Sequence, residues 1–200
     1  MTASFGPVVA LDTAGPVIGV AVRRGDETFV RTARIDRGTD RVLVPWIGEL
    51  CAEAGIAVQD LRGVAVAVGP GRFTGIRVGI ATATGLAQAL GVRVWPGPSL
   101  EHRALRVDSP RVLAVLDARK GRVYAAAYEG GVLASGPADV PLEVALRWLR
   151  SPFVTTDPDD PAVEVLARLG AEGLQRAGGV AATEVVPVYL READVLPPRS

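Results

Sequence analysis

Short apolar runs separated by glycine, proline and charged residues open the chain. Val8–Leu11, Val17–Val22 and Thr28–Arg34 read as strands, the first two joined across Asp12-Thr13-Ala14-Gly15-Pro16 and the next across Arg23-Arg24-Gly25-Asp26. This is the pattern of a β-meander. The period then changes: Leu43, Trp46, Ile47, Leu50 and Ala54 recur at spacings of three and four, which predicts a helix from near Asp40 to Gly55 with one apolar face. Pro45 is tolerable only in a first turn, so a late start or a kink is expected there. Gly63–Val68 is an unbroken run of small apolar residues suited to a strand buried on both faces, and Thr74–Leu90 and Val92–Trp95 predict a helix and a strand after it. Further on, Ser99–Leu105 reads as a connecting helix, and Arg111–Asp117 and Val123–Tyr128 as a hairpin-like pair around Ala118-Arg119-Lys120-Gly121. Helices are predicted over Val140–Leu149 and Pro161–Leu174, the second capped by Asp160 with Pro161 in its first position. Phe153–Thr155 lies between them, Val185–Tyr189 predicts a short strand, and the tail Pro197-Pro198-Arg199-Ser200 is expected to be disordered.

Three strands, helix, strand, helix, strand is the half-unit of the ribonuclease-H-like and actin-like folds, and the second half repeats it loosely. The expected class is therefore α/β, with two subdomains, 1–98 and 99–200, each a mixed sheet with flanking helices. With 200 residues, 48% of them apolar, the chain can bury a substantial core. Its 22 basic residues balance 22 acidic ones without an arginine run, which argues against autonomous nucleic-acid binding. Gly6, Pro7, Asp12, Gly15 and Pro16 break any signal-like apolar run, no stretch approaches the ~20 apolar residues of a membrane span, and the one cysteine, Cys51, suits a reducing compartment. A cytoplasmic protein is expected.

The segment Val68-Gly69-Pro70-Gly71-Arg72-Phe73-Thr74-Gly75-Ile76-Arg77-Val78-Gly79 joins a buried strand to a glycine-studded helix without a gap. Gly69 and Gly71 permit positive φ or close backbone approach, Pro70 holds the turn, and Thr74 is placed to cap the helix it opens. It is not a Walker loop, since no Gly-Lys-Ser/Thr follows, nor the dinucleotide fingerprint, since Thr74 stands where the third glycine belongs. Gly75, Gly79 and Gly85 each cost about 1 kcal/mol against alanine inside a helix, so something must compensate. Gly75, Gly79, Ala83 and Ala87 lie four apart as a smooth ridge flanked by Ile76 and Ile80. That ridge packs either on the sheet or, with the apolar residues of the preceding helix, against a partner subunit.

Reactive side chains are few. His102 is the single histidine, which rules out paired-histidine metal motifs; it follows Glu101 in a polar stretch and is expected on the surface. Cys51 sits in an apolar helical pattern and reads as an inert core thiol. Asp12, at the end of the first strand, stands where actin-like ATPases place a carboxylate near Mg²⁺ and phosphate. It is a weak candidate for nucleotide contact and otherwise an acceptor for turn N–H groups. Asp117, Arg119 and Arg122 form a candidate polar cluster on the second hairpin.

Val9-Ala10-Leu11-Asp12-Thr13, the glycine segment through Gly79, Asp117-Ala118-Arg119 with Val123-Tyr124, and Pro187-Val188-Tyr189-Leu190-Arg191 together resemble the TsaB (YeaZ) family of the bacterial threonylcarbamoyladenosine machinery. The resemblance spans nearly the whole chain in order, and GPGxFTGxRxG is its most specific part. It implies an actin-like fold and a non-catalytic subunit supporting the catalytic paralogue TsaD, together with the ATPase TsaE. That complex modifies the adenosine next to the anticodon in tRNAs reading ANN codons. It further implies no intrinsic cofactor, ATP or ADP with Mg only in the assembled complex, tRNA contact only through that complex, and a homodimer as one form of the free protein. The interface residues expected on this basis are Leu43, Trp46, Ile47, Leu50, Ile76, Gly79, Ile80 and Ala83. No catalytic or metal-binding residue is expected, and the family's glycoprotease (M22) label suits this sequence poorly. Two positions depart from the family pattern: Thr39-Asp40 stands in place of His-Ser, and Arg72 in place of serine. An actin-like nucleotide hydrolase or kinase is the alternative reading, and a peptidase a weaker one.

Overall fold

The computed structural model describes residues 5–190, so the expected disordered tail lies outside the described residues. The first sheet has the order β3-β2-β1-β4-β5, built from β1 (Val8–Asp12), β2 (Val17–Arg24), β3 (Glu27–Arg34), β4 (Gly63–Ala67) and β5 (Arg93–Gly97). β1 runs antiparallel to β2 and parallel to β4, which is the arrangement expected of the ribonuclease-H-like half-unit. α1 (Thr39–Glu53) and α2 (Phe73–Leu90) cover one face, where Val9, Leu11, Val20, Val64 and Val66 meet Leu43, Ile47, Leu50, Ala83 and Ala87.

The other face carries smaller side chains, Ala10, Ala21, Ala65 and Ala67, and takes α5 (Val163–Ala177). Small residues on both partners let helix and sheet approach closely. A Cβ on Gly170 would fall 2.5 Å from that of Ala65, and one on Gly173 would enter the Trp95 ring. This helix comes from the C-terminal half of the chain. The division expected at residue 98 therefore falls between the strands of two sheets but does not separate their coverings.

The second sheet has the order β8-β7-β6-β9, from β6 (Arg111–Asp117), β7 (Arg122–Glu129), β8 (Val132–Pro141) and β9 (Val154–Thr155). α3 (Ser99–Ala104) packs on one face through Leu100 and Ala104, and that layer also receives Ala14 and Ile76 from the first lobe. α4 (Leu142–Ala145) lies on the other, with Ala145 among Leu113, Val115, Ala125 and Ala127.

Several expectations need correcting. The helix predicted over 140–149 is mostly absent: residues 132–141 form an edge strand against β7, and only one turn of helix follows. α1 starts at Thr39 and passes through Pro45 rather than beginning after it. The carbonyl that the proline leaves unbonded belongs to the exposed Arg41, where water can satisfy it. Asp160 does not cap α5; its Oδ1 accepts the Ala162 N–H at 2.9 Å, and the helix begins at Val163 instead of Pro161. Residues 185–189 join no sheet and meet β4's end through one backbone bond, Val188 N–H to the Val68 carbonyl at 2.7 Å.

Candidate functional site

The glycine turn after β4 is where the chain crosses itself most tightly. Gly69 has φ 115°, and a Cβ there would strike the Val188 carbonyl. Gly71 packs on Ala14, whose carbonyl accepts the Arg72 N–H at 2.7 Å. Side chains on Gly75 or Gly79 would collide with the carbonyl and the hydroxyl of Thr13, and that hydroxyl donates to the Gly75 carbonyl at 2.7 Å. The glycine ridge thus lets the β1–β2 loop lie directly on α2, which is the compensation its helix cost demanded. Thr74 does not cap the helix. It is an exposed second residue, and the N-cap position belongs to Arg72, without a side-chain cap bond.

Behind this turn lies a buried charge cluster. Asp12 Oδ2 sits 2.7 Å from His102 Nε2 and 2.6 Å from Arg103 Nη1, while Oδ1 accepts the Ala14 N–H at 2.8 Å. All three side chains are buried. Arg103 Nη1 also donates to the Ser99 carbonyl at 2.6 Å, and His102 Nδ1 lies 3.1 Å from the Pro98 carbonyl. Ser99 closes the ring: its Oγ accepts the Gly69 N–H at 3.0 Å, and its own N–H donates to the Gly69 carbonyl at 2.8 Å. Burial by itself would raise the Asp12 pKa, but the Arg103 guanidinium, with help from His102, overrides it and holds the carboxyl at about 2. Nε and Nη2 of Arg103 have no acceptor among the described residues.

Asp12 is fully buried with both carboxylate oxygens bonded inside the protein, and its role as acceptor for a turn N–H is the one observed. His102 is not a surface residue but a core partner of that carboxylate. The run Ser99-Leu100-Glu101-His102-Arg103 looks polar, yet four of its five residues are buried because α3 is wedged between the lobes. An acid at the end of an all-apolar strand was the one available signal that a basic partner was required.

Between the lobes opens a cleft of about 660 Å³, lined by Thr13, Arg72, Phe73, Asp117, Arg119 and Tyr189 among others. The departure at Arg72 therefore faces this space. Asp117 Oδ1 accepts the Arg119 N–H at 2.7 Å, whereas Arg122 pairs with Asp139 at 2.7 Å, so the expected three-residue cluster is two separate contacts. Among the described residues no group of three His, Cys, Asp or Glu side chains could hold a metal ion, and no helix is long and apolar enough to cross a membrane.

Of the eight expected interface residues, Leu43, Ile47, Leu50, Ile76, Gly79 and Ala83 are buried within the chain. This corrects the expectation for those six: the apolar stripes of α1 and α2 face their own sheet and loop. Trp46 and Ile80 are partly buried at the margin of that core. Val44, on the same helix as Trp46, is 64% exposed.

Comparison with known proteins matches this architecture. The sequence profile described as TsaD, tRNA N6-adenosine threonylcarbamoyltransferase, covers residues 35–183. A Mycobacterium tuberculosis protein of uncharacterised function is 33% identical over 95% of this chain and 94% of its own length. The tRNA threonylcarbamoyladenosine biosynthesis protein TsaB of Bacillus subtilis is 31% identical over 61% of this chain, a match spanning only 55% of that protein. The solved structure of YeaZ from Pseudomonas aeruginosa superposes with a TM-score of 0.80 at 28% identity, covering 92% of this chain and all of that one. The chain belongs to the threonylcarbamoyltransferase family described by that profile, and within it is a TsaB/YeaZ-like protein.

Proposed function

We propose that this protein is a non-catalytic subunit of the machinery that places a threonylcarbamoyl group on the adenosine next to the anticodon of tRNAs reading ANN codons. The observation that carries the reading is the sequestered Asp12. The carboxylate that would serve Mg²⁺ and phosphate in an actin-like ATPase is paired with Arg103 and hydrogen-bonded to His102 beneath the protein surface. An intact two-lobed fold with this carboxylate withdrawn suits a subunit that holds a catalytic paralogue in its competent state by binding that state preferentially. TsaD is the proposed paralogue and TsaE the proposed ATPase, with ATP or ADP and Mg bound only in the assembly and tRNA reached only through it. The outer margin of α1 and α2, with Val44, Trp46 and Ile80, is the proposed contact surface, used by a second copy when the protein is free.

Reconstitution tests the reading. Purified TsaD paralogue and TsaE ATPase, supplied with tRNA, ATP·Mg and an activated threonylcarbamoyl donor, should form threonylcarbamoyladenosine only when this chain is added, as measured by nucleoside mass spectrometry. Modification at full rate without it would refute the role. An ATPase turnover above ~1 s⁻¹ by the isolated chain would favour the hydrolase reading instead.

A further inference from the structure

Residues 185–190 lie across the end of β4 beside the first turns of α2, outside any sheet. Val185 packs against the core of the first lobe; beyond it, apart from the Val188–Val68 bond, the segment is held by a three-part stack. The Arg77 guanidinium carbon lies 3.9 Å from the Phe73 ring centroid and 5.8 Å from that of Tyr189. Arg77 Nε donates to the Tyr189 hydroxyl at 2.9 Å, and the two rings are 4.8 Å apart, tilted by 32°. Phe73 and Arg77 are one helical turn apart, so α2 presents both from one side. Val188, Tyr189 and Leu190 also line the interlobe cleft, opposite Asp117 and Arg119.

We propose that residues 185–190 form a strap whose release controls access to the cleft, with the Phe73–Arg77–Tyr189 stack as its latch. The attachment is local in a way the core is not. Val185 anchors the strap's start against the core, but beyond it Val186 and Val188 are exposed and one backbone bond and one surface stack tie the strap down, whereas β4 beneath it is hydrogen-bonded on both sides and fully buried. An exposed stack of this kind supports an opening separate from global unfolding. Release of Tyr189 would unpack one wall of the cleft and bare the first turn of α2, where the family pattern is altered at Arg72. Gly69 keeps the closed seat possible, since any side chain there would displace the Val188 carbonyl.

Hydrogen–deuterium exchange on the full chain tests the latch, with N-ethylmaleimide labelling of Val78→Cys, in the cleft wall, in a Cys51→Ala background as the readout of access. Tyr189→Ala and, on the exposed side, Arg77→Leu should each raise exchange over 185–190 about tenfold, the loss expected for a stack of this size. Labelling of the cleft cysteine should rise in step, while β1 and β4 keep the wild-type rate. Tyr189→Phe, which keeps the ring and loses the hydroxyl, should fall between. Unchanged exchange in Arg77→Leu would overturn the latch, and equal acceleration in β1 and β4 would show that the strap is part of the global core. Faster exchange without faster labelling would overturn the gating.

Discussion

At the scale of single residues, Asp12 decides most. It is fully buried against the Arg103 guanidinium and the His102 ring, so removing its charge leaves Arg103 uncompensated in the core. Asp12→Asn should cost about 3–5 kcal/mol, read by chemical denaturation. The same cluster sets an acid limit. The folded pKa of Asp12, about 2, lies below the ordinary aspartate value of 3.8, so its contribution is complete above about pH 4 and is lost as the pH falls toward 2. Wild-type stability should decline through that window, and Asp12→Asn should lose this part of the decline; parallel curves would contradict the assignment. Gly79 is the second decisive residue. Because a Cβ there meets the Thr13 hydroxyl and α2 cannot retreat from a buried sheet, Gly79→Leu should lower the melting temperature or abolish the cooperative melt. A normal melt with weakened partner binding would instead restore the interface reading of the ridge.

At the scale of elements, α1 shows how tertiary context overrides local preference. Pro45 lies seven residues into the helix, on its exposed side, and costs a backbone bond that the burial of Leu43, Ile47 and Leu50 offsets. Pro45→Ala should therefore stabilise the protein by about 1–3 kcal/mol, measured as a shifted denaturation midpoint at constant slope. β8 teaches the reverse lesson. Leu142, Val144 and Leu146 are each 40–41% exposed, so the apolar spacing that predicted a long helix does not mark a buried stripe there. Pairing with β7 claimed residues 132–141, and only Ala145 of the following turn is fully buried.

At the scale of the whole molecule, the two lobes are joined by a ring of polar contacts running from Asp12 through Ala14 to the glycine turn, Ser99 and Arg103. α5 returns from the second half to close the first sheet. Charge changes inside the α1 stripe and outside it should separate accordingly. Leu43→Glu with Ile47→Glu should unfold the chain, since both side chains are buried, while Val44→Glu should leave the melt within about 0.5 kcal/mol of wild type. On the proposed function, Val44→Glu alone should weaken association with the TsaD paralogue in a pull-down; undiminished association would move the contact surface elsewhere.

The order of strands and helices in the first half was determined by the sequence itself, because both periods and the breakers between them act over a few residues. β1, β2, β3 and β6 lie within two residues of where the apolar pattern puts them, and the glycine turn announces its own close approach. What the sequence could not determine is who occupies the partner positions. The ridge of α2 meets Thr13, 62 residues away from Gly75, Asp12 meets His102 across 90, and Arg77 meets Tyr189 across 112. Such pairs depend on how the lobes and α5 close around one another, and nothing local encodes that. A polar-looking helix therefore became a buried charge partner, and apolar stripes that could have faced a second subunit were consumed by the sheet beneath them.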